Sequence, residues 1–222
     1  MQVSFSSFRA EDLDEEKVRI LARAGTQSVS LAPESGSERI RFTLGKRVED
    51  GIYLDAVRML AGAGIRRIGL YLLVGCPGEG VGTIDETRSF LARIKENARR
   101  CRLSLHVNPL VPKPWTPLQF YGIPRRGELE KHLSTVRGLG SELGFSVTVK
   151  SLRSALRQAT ISLGDERVGK ALGRLARGRI SWGKALRNEG VSAEEVHEER
   201  GANSPFPWDG IAGPVTRENL YR

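Results

Sequence analysis

Strand and helix patterns alternate along the first half of the chain, and this alternation limits the possible folds more than any other feature. Short apolar stretches at 3–5, 28–32, 68–74 and 103–107 are typical of β-strands, and helical patterns lie between them. The repeat is roughly 35 to 40 residues long, enough for a strand and its crossover helix. The sequence therefore predicts right-handed βαβ units that share a parallel sheet, of the doubly wound or barrel kind.

Capping signals set the expected ends of the helices in this half. Asp14 is a suitable N-cap for a helix that ends at Gly25. The periodic stretch 50–63 predicts a second helix. Thr83 and Glu86 have the spacing of a capping box, which predicts a third helix behind them.

The stretch 68–74 is a continuous apolar run, which suits a strand that is covered on both faces of a parallel sheet. A closed barrel needs about eight strands, and a partial barrel about six. The four strands predicted here are too few for either. We therefore expect that the fold begins before residue 3 and that strands are missing at that end.

The second half opens with a proline-rich segment, 107–117, which cannot form a helix. Behind it the sequence predicts a helix from about Arg126 to Leu143, a strand over 145–149 and several short basic helices. We therefore divide the chain into a barrel part (1–122), a basic α/β or helical appendage (123–200) and an irregular tail (201–222).

The formal net charge of +9 is unevenly distributed. Residues 1–90 carry 12 basic and 13 acidic side chains, whereas residues 91–222 carry 23 and 13. A basic region of this kind is compatible with contacts to RNA or DNA, and equally with solvated arginine-rich surfaces. The N-terminus lacks the features of a signal peptide, and no apolar run approaches the roughly 20 residues of a membrane helix. We expect a cytoplasmic protein that does not contact a membrane.

Cysteine and histidine are too sparse to predict a metal site. The two cysteines, Cys76 and Cys101, have neither the number of a disulfide framework nor the spacing of a metal motif. His106, His132 and His197 are scattered, so structural or surface roles are expected for them.

The stretch 32–37 follows a predicted strand, and ligands bind at the carboxyl ends of parallel strands. Glu34 can accept hydrogen bonds from ribose hydroxyls or an amino group, Ser35 can donate one, and Gly36 would let the backbone approach a ligand. A helix-capping turn is the alternative for the same residues.

A second loop follows the next strand. Gly75 and Gly78 permit a tight backbone turn against a flat ligand such as adenine, and Pro77 stiffens that turn. Taken alone, the loop is an ordinary strand-to-helix turn. Two such loops on neighbouring strands predict one shared ligand site.

The order of the motifs resembles the radical S-adenosylmethionine (SAM) superfamily, in particular its cobalamin-binding-type branch. The resemblance covers nearly the whole chain. Its elements are Ser6–Arg9, Glu34–Ser37, Gly45–Arg47, Gly75–Glu79, Val111–Phe120 and Pro207–Ile211.

The resemblance implies a partial parallel (β/α) barrel, with about four βα units present here, plus a small and mainly helical C-terminal region. In this family a 4Fe–4S cluster on a CxxxCxxC loop cleaves SAM to a 5′-deoxyadenosyl radical. Glu34 and Ser35 would then approach the ribose or methionyl part of SAM, and Gly75 to Gly78 would line the adenine. Ser7 and Arg9 would face the same cavity.

The chain departs from the family in having no CxxxCxxC motif. We therefore expect the C-terminal part of a radical SAM enzyme, inactive as an isolated chain, whose cluster-binding portion lies upstream or on a separate chain. The use of cobalamin and the substrate stay open. The alternative is an RNA-binding module, or an RNA-modifying radical SAM enzyme that docks its substrate on the basic C-terminal region.

Overall fold

The computed structural model describes residues 7–98, 100–178, 180–211, 213 and 215–221. Within these residues the chain forms a four-stranded parallel sheet in the order β1-β2-β3-β4. The strands are β1 (Ser28–Glu34), β2 (Arg67–Val74), β3 (Arg102–Pro109) and β4 (Ser146–Val149). The predicted α/β fold with a parallel sheet is confirmed, and it is consistent with a partial barrel. The strand predicted at 3–5 lies outside the described residues.

Helices connect and follow these strands. They are α1 (Glu15–Arg23), α2 (Glu38–Thr43), α3 (Asp50–Gly62), α4 (Val81–Asn97), α5 (Arg126–Glu142), α6 (Leu152–Leu163), α7 (Glu166–Arg177), α8 (Trp182–Asn188) and α9 (Arg217–Tyr221). Short 3₁₀ helices lie at Ala10–Asp12, Pro117–Phe120 and Ala193–His197. In the part of the chain that the structure describes, every helix is too short or too polar to cross a bilayer.

The chain divides into two compact units. Unit 1 comprises Met1–Pro109 and Leu129–Lys150, and it contains the whole sheet. Unit 2 comprises Leu110–Glu128 and Ser151–Arg222. The strand predicted over 145–149 falls within the appendage of residues 123–200. In the structure it is β4, which pairs in parallel with β3, because periodicity identifies a strand but not its partner.

One face of the sheet forms the aliphatic core of unit 1. Its side chains alternate along the strands and are at most 2% exposed: Val29, Leu31, Ile68, Leu70, Leu72, Leu105 and Val107. Helices α3, α4 and α5 supply the other half of this core, including Tyr53, Phe90 and Leu129. The helices of unit 1 that connect the strands therefore lie on this face.

The opposite face of the sheet is polar. Ser30, Gly69 and Ser104 share one register row, and Tyr71 and His106 share the next row along β2 and β3. Apart from buried Gly69, these residues are only half-buried. The expectation that 68–74 is covered on both faces is therefore wrong, because the neighbouring strands present hydroxyls and an imidazole beside Tyr71.

The helix signals are mostly confirmed. Asp14 caps α1, where its Oδ1 accepts a hydrogen bond from Lys17 N at 2.8 Å, and Gly25 follows with a φ of 77°. The capping box ahead of α4 is shifted from the expectation. Gly80 is the N-cap residue. Its N–H donates at 3.0 Å to Oγ1 of Thr83, which lies in the first turn of α4.

Candidate functional site

Glu34 ends β1 in an uncommon backbone conformation. Its φ is 67°, and the register between β1 and β2 shifts between Leu31 and Glu34. The bulge turns the Glu34 carboxylate toward Lys46, whose Nζ lies 3.5 Å from Oε1. Burial raises the pKa of Glu34, and the Lys46 charge opposes that rise. Among the described residues Lys46 is the ion-pair partner of this carboxylate, which keeps lone pairs free for a ligand.

The residues behind Glu34 form a turn that caps α2. Ser35 Oγ accepts a hydrogen bond from Ser37 N at 3.1 Å, and Ser37 Oγ accepts one from Ile40 N at 3.3 Å. Gly36 lies directly against α4, where an added Cβ would be 2.6 Å from Thr87 Cα. The capping turn that the sequence offered as an alternative is therefore present. A role of Ser35 and Gly36 toward a ligand stays a prediction.

A buried arginine holds this turn in place by hydrogen bonds. Arg41 is fully buried, and its guanidinium donates to Ser35 O and Val48 O, both at 2.9 Å, and to the Asp50 carboxylate. The guanidinium carbon also lies 5.3 Å from the ring centre of Tyr53. A buried charge with this many partners is held in one geometry, so it holds the Ser35 carbonyl in place.

The second loop is a tight turn closed by its own carboxylate. Gly75 and Gly78 have positive φ values of 90° and 78°, which glycine adopts without strain. Glu79 Oε2 accepts a hydrogen bond from Gly75 N at 2.9 Å and lies 3.6 Å from His132 Nδ1 of α5. Burial raises the pKa of Glu79. Pro77 lies half-buried inside this turn.

The two loops are neighbours in the structure. Arg39 Nη1, in the first turn of α2, donates to Gly78 O at 3.0 Å. A small cavity of about 30 Å³ is lined by Ser35 and Gly36 of the first loop, Glu79 at the end of the second, and His132. A cavity of that size holds one or two water molecules between polar groups, and it does not hold a cofactor.

The N-terminal segment runs beside β1. Phe8 N donates to Ser30 O at 2.8 Å, and both Ser7 and Arg9 are exposed. Arg9 pairs with Glu11 at 2.7 Å and lines a wide surface depression of about 890 Å³. Lys46 lines the same depression, and Lys46 also contacts Glu34. Arg9 therefore borders the same depression as the ion-pair partner of Glu34.

The comparison with protein families points to one superfamily. Residues 3–91 match the model of the radical SAM superfamily. The match includes the Glu34 turn, the Gly75–Glu79 loop and the segment that carries Ser7 and Arg9. It ends inside α4, so β3, β4 and all of unit 2 lie beyond it.

A relative extends the similarity further along the chain. An uncharacterized protein of Methanocaldococcus jannaschii is 28% identical over 172 residues, which is 78% of this chain. The chain spans 37% of the length of that relative. The similarity to this relative therefore extends beyond the residues that match the superfamily model, and most of the relative stays unmatched.

The described residues do not suit an iron–sulfur cluster. Cys76 is buried, and burial raises the pKa of its thiol, whereas a cluster ligand is a thiolate. Cys101 lies on another element and donates from Sγ to Ile65 O at 3.0 Å. Among the described residues no group of three or more His, Cys, Asp or Glu is placed to hold a metal ion.

Sequence reasoning missed three residues that shape this site. Lys46 lies in the Gly45–Arg47 motif, but the sequence does not indicate that it meets Glu34, and it does not connect Arg41 or His132 with the site. Arg41 is one of two arginines in α2, with Arg39, and the sequence pattern does not indicate which of them is buried. Nothing in the sequence indicates that His132 lies beside Glu79, 53 positions away along the chain.

Proposed function

We propose that this chain is the SAM-contacting part of a radical SAM enzyme. The observation that carries the proposal is the half-exposed Glu34 carboxylate at the carboxyl end of β1, beside the glycine turn that follows β2. Both lie in the segment that matches the radical SAM superfamily. Ligands of parallel α/β sheets bind at this end of the strands.

The chain's own residues would hold SAM by hydrogen bonds and close backbone contact. Glu34 would accept hydrogen bonds from the ribose hydroxyls or the amino group, with Ser35 beside it. Gly75, Pro77 and Gly78 would line the adenine, while Ser7 and Arg9 would border the same cavity. When bound and reductively cleaved, SAM supplies a 5′-deoxyadenosyl radical, which is the source of radical chemistry in such enzymes.

The iron–sulfur cluster belongs to a different segment in this proposal. The donor set of the described residues does not fit it, so its ligands would lie upstream or on a separate chain. We propose no role for cobalamin, because no residue of the described chain points to it.

Nucleic-acid binding by the basic region behind residue 90 is the alternative from the sequence. Several arginines of this region are already paired: Arg125 with Glu194, Arg167 with Asp165, Arg174 with Glu189 and Arg217 with Asp209. Their charge is partly neutralised within the chain. The enzyme proposal therefore leads.

The experiment begins with the DNA upstream of the Met1 codon, which should encode an in-frame CxxxCxxC motif. The protein that contains both parts, or the two chains together, is then purified without oxygen and supplied with iron and sulfide. We expect it to bind SAM and to release 5′-deoxyadenosine when a reductant is added. An assembled cluster without either result would overturn the proposal.

Glu34→Ala tests the role of the site within that experiment. Loss of a hydrogen bond to a charged group should weaken SAM binding at least about tenfold and leave the cluster's electron paramagnetic resonance signal unchanged. Glu96→Ala removes an exposed carboxylate from α4 and serves as the matched control. Equal SAM affinity of the two variants would contradict the placement of SAM at Glu34.

A further inference from the structure

Arg41 carries a buried charge to which the SAM proposal gives no role. Its side chain is fully buried, and its guanidinium carbon lies 5.3 Å from the ring centre of Tyr53 and 5.2 Å from that of Phe90. The Asp50 carboxylate accepts a hydrogen bond from Nη2 and balances the charge. The cost of removing such a pair from water offsets much of its attraction, so stability alone is a poor explanation for it.

The other two guanidinium nitrogens reach the backbone on both sides of the Glu34–Lys46 ion pair. Nη1 donates to the carbonyl of Ser35, the residue after Glu34, at 2.9 Å. Nε donates to Val48 O at 2.9 Å, and the Arg41 carbonyl accepts a hydrogen bond from Lys46 N at 2.9 Å. Arg41 therefore fixes the backbone next to Glu34, at Lys46 and just behind Lys46.

The carbonyl of Ala32 connects the same groups at the bulge of β1. Lys46 Nζ donates to Ala32 O, and the Tyr53 hydroxyl donates to the same oxygen at 3.4 Å. The bulge between Leu31 and Glu34 turns the Glu34 carboxylate toward Lys46. The lysine that pairs with Glu34 therefore also holds the backbone that directs this carboxylate.

The nearness of Lys46 decides how well Glu34 can accept hydrogen bonds. Burial raises the pKa of Glu34, and the Lys46 charge opposes that rise. Tyr53 and Cys76 also interact electrostatically with Glu34, but burial raises the pKa of both, so they stay neutral. The opposing effect weakens as the Nζ–Oε1 distance grows beyond its 3.5 Å. Hydrogen bonds to an ionised carboxylate are roughly twice as strong as those between neutral groups.

We infer that Arg41 is the positioning residue of the candidate site: it holds Lys46 beside Glu34 and thereby keeps Glu34 ionised and directed at the ligand. The inference rests on the proposed function for the identity of the ligand. The arrangement of Arg41, Lys46 and Glu34 is a property of the chain itself and can be tested without SAM.

The first test measures the ionisation of Glu34 in the 222-residue chain, by carbon-13 NMR of the side-chain carboxyl over a series of pH values. Glu34→Gln identifies the signal. Lys46→Gln should raise the pKa of Glu34, because it removes the opposing charge. Arg41→Lys should raise it as well, because one nitrogen replaces the three that bond Ser35, Val48 and Asp50. Arg41→Lys keeps the buried charge and should therefore fold.

The double variant shows whether the two residues act together. If Arg41 acts through Lys46, Arg41→Lys adds no further rise once Lys46→Gln is present. An unchanged pKa of Glu34 in Arg41→Lys would overturn the inference. Additive rises in the double variant would overturn it as well, because Arg41 would then act on Glu34 independently of Lys46.

Leu105→Ala is the control for lost stability. Leu105 is buried in β3, and its Cδ2 lies 2.9 Å from the place of the Cβ that Gly140 of α5 lacks. The cavity should destabilise unit 1, and the pKa of Glu34 should stay unchanged. A rise equal to that in Arg41→Lys would make Arg41 merely structural and overturn the inference.

A SAM titration of the anaerobically assembled enzyme is read separately. Arg41→Lys should weaken SAM binding about tenfold, and Leu105→Ala should leave it unchanged. Equal SAM affinity of Arg41→Lys and the unaltered enzyme would overturn the inference and keep the proposed function. A raised pKa of Glu34 in Arg41→Lys, without SAM binding by the unaltered enzyme, would remove the proposed function and keep the positioning of Lys46 by Arg41.

Discussion

Glu79 is the more deeply buried of the two carboxylates in the candidate site. Its side chain is 11% exposed, against 30% for Glu34, and it closes the turn by accepting the Gly75 N–H. Burial raises its pKa above the ordinary value of 4.5. The unfolded chain therefore releases this proton at a lower pH than the folded chain. The stability contribution of Glu79 is complete below pH 4.5 and is lost as the pH rises through the raised pKa.

Glu79→Gln should remove this pH dependence, since glutamine keeps an acceptor for Gly75 N–H but does not ionise. The free energy of unfolding of the unaltered chain should fall, relative to that of the variant, as the pH rises above 4.5. Urea unfolding at a series of pH values measures this difference. Glu79→Ala also loses the acceptor and should be about 1 to 2 kcal/mol less stable than the glutamine variant. Parallel pH curves for the unaltered chain and Glu79→Gln would contradict the assignment.

At the scale of elements, the contact between the Glu34 turn and α4 keeps the two ligand loops together. Gly36 has no room for a side chain, because the space beside it is filled by the backbone and side chain of Thr87. Gly51, in α3, has open space around its missing Cβ. Packing against Thr87 therefore explains the glycine at position 36. The structure gives no reason for the glycine at position 51.

Gly36→Ala should lower the free energy of unfolding by about 1 to 3 kcal/mol, the usual cost of an overpacked contact. Gly51→Ala should raise it by about 0.5 to 1 kcal/mol, because alanine favours a helix more than glycine does. Urea unfolding of the two variants under the same conditions compares them. A stabilised Gly36→Ala would show that the turn can move away from α4 at little cost.

On the scale of the whole molecule, tryptophan fluorescence distinguishes the unfolding of one compact unit from that of the other. All three, Trp115, Trp182 and Trp208, lie in unit 2. Trp208 Nε1 donates to Gln119 Oε1 at 2.9 Å, and its side chain joins a core with Phe206 and Leu220. Tryptophan fluorescence therefore reports unit 2, whereas circular dichroism reports helices and strands of both units.

Arg41→Met tests whether the units unfold independently. The substitution leaves the buried Ser35 and Val48 carbonyls without their donor and leaves Asp50 with Arg93 alone, which should destabilise unit 1 by about 3 kcal/mol. We expect the circular dichroism transition to move to lower urea while the fluorescence transition stays in place. Equal shifts of both signals would mean that the chain unfolds as one cooperative body.

Local sequence patterns were enough to predict most of the elements and the two loops of the candidate site. The spacing of apolar residues reflects local geometry, a period of 2 in strands and of 3.6 in helices, so β1, β2, β3 and α3 could be predicted within a few residues. The glycines and the proline of 75–78 likewise set the backbone conformation at their own positions. Their turn could therefore be predicted without knowledge of its surroundings.

Which of these elements meet depends on contacts between distant parts of the chain. Pairing of β4 with β3, burial of Arg41 beneath Ser35 and the approach of His132 to Glu79 join residues that are distant along the chain. The polar row through Gly69 and Ser104 also depends on the register between strands, because a shift by one residue would turn each side chain to the other face. Local propensity carries no information on such distant contacts, which are fixed by packing of the whole chain.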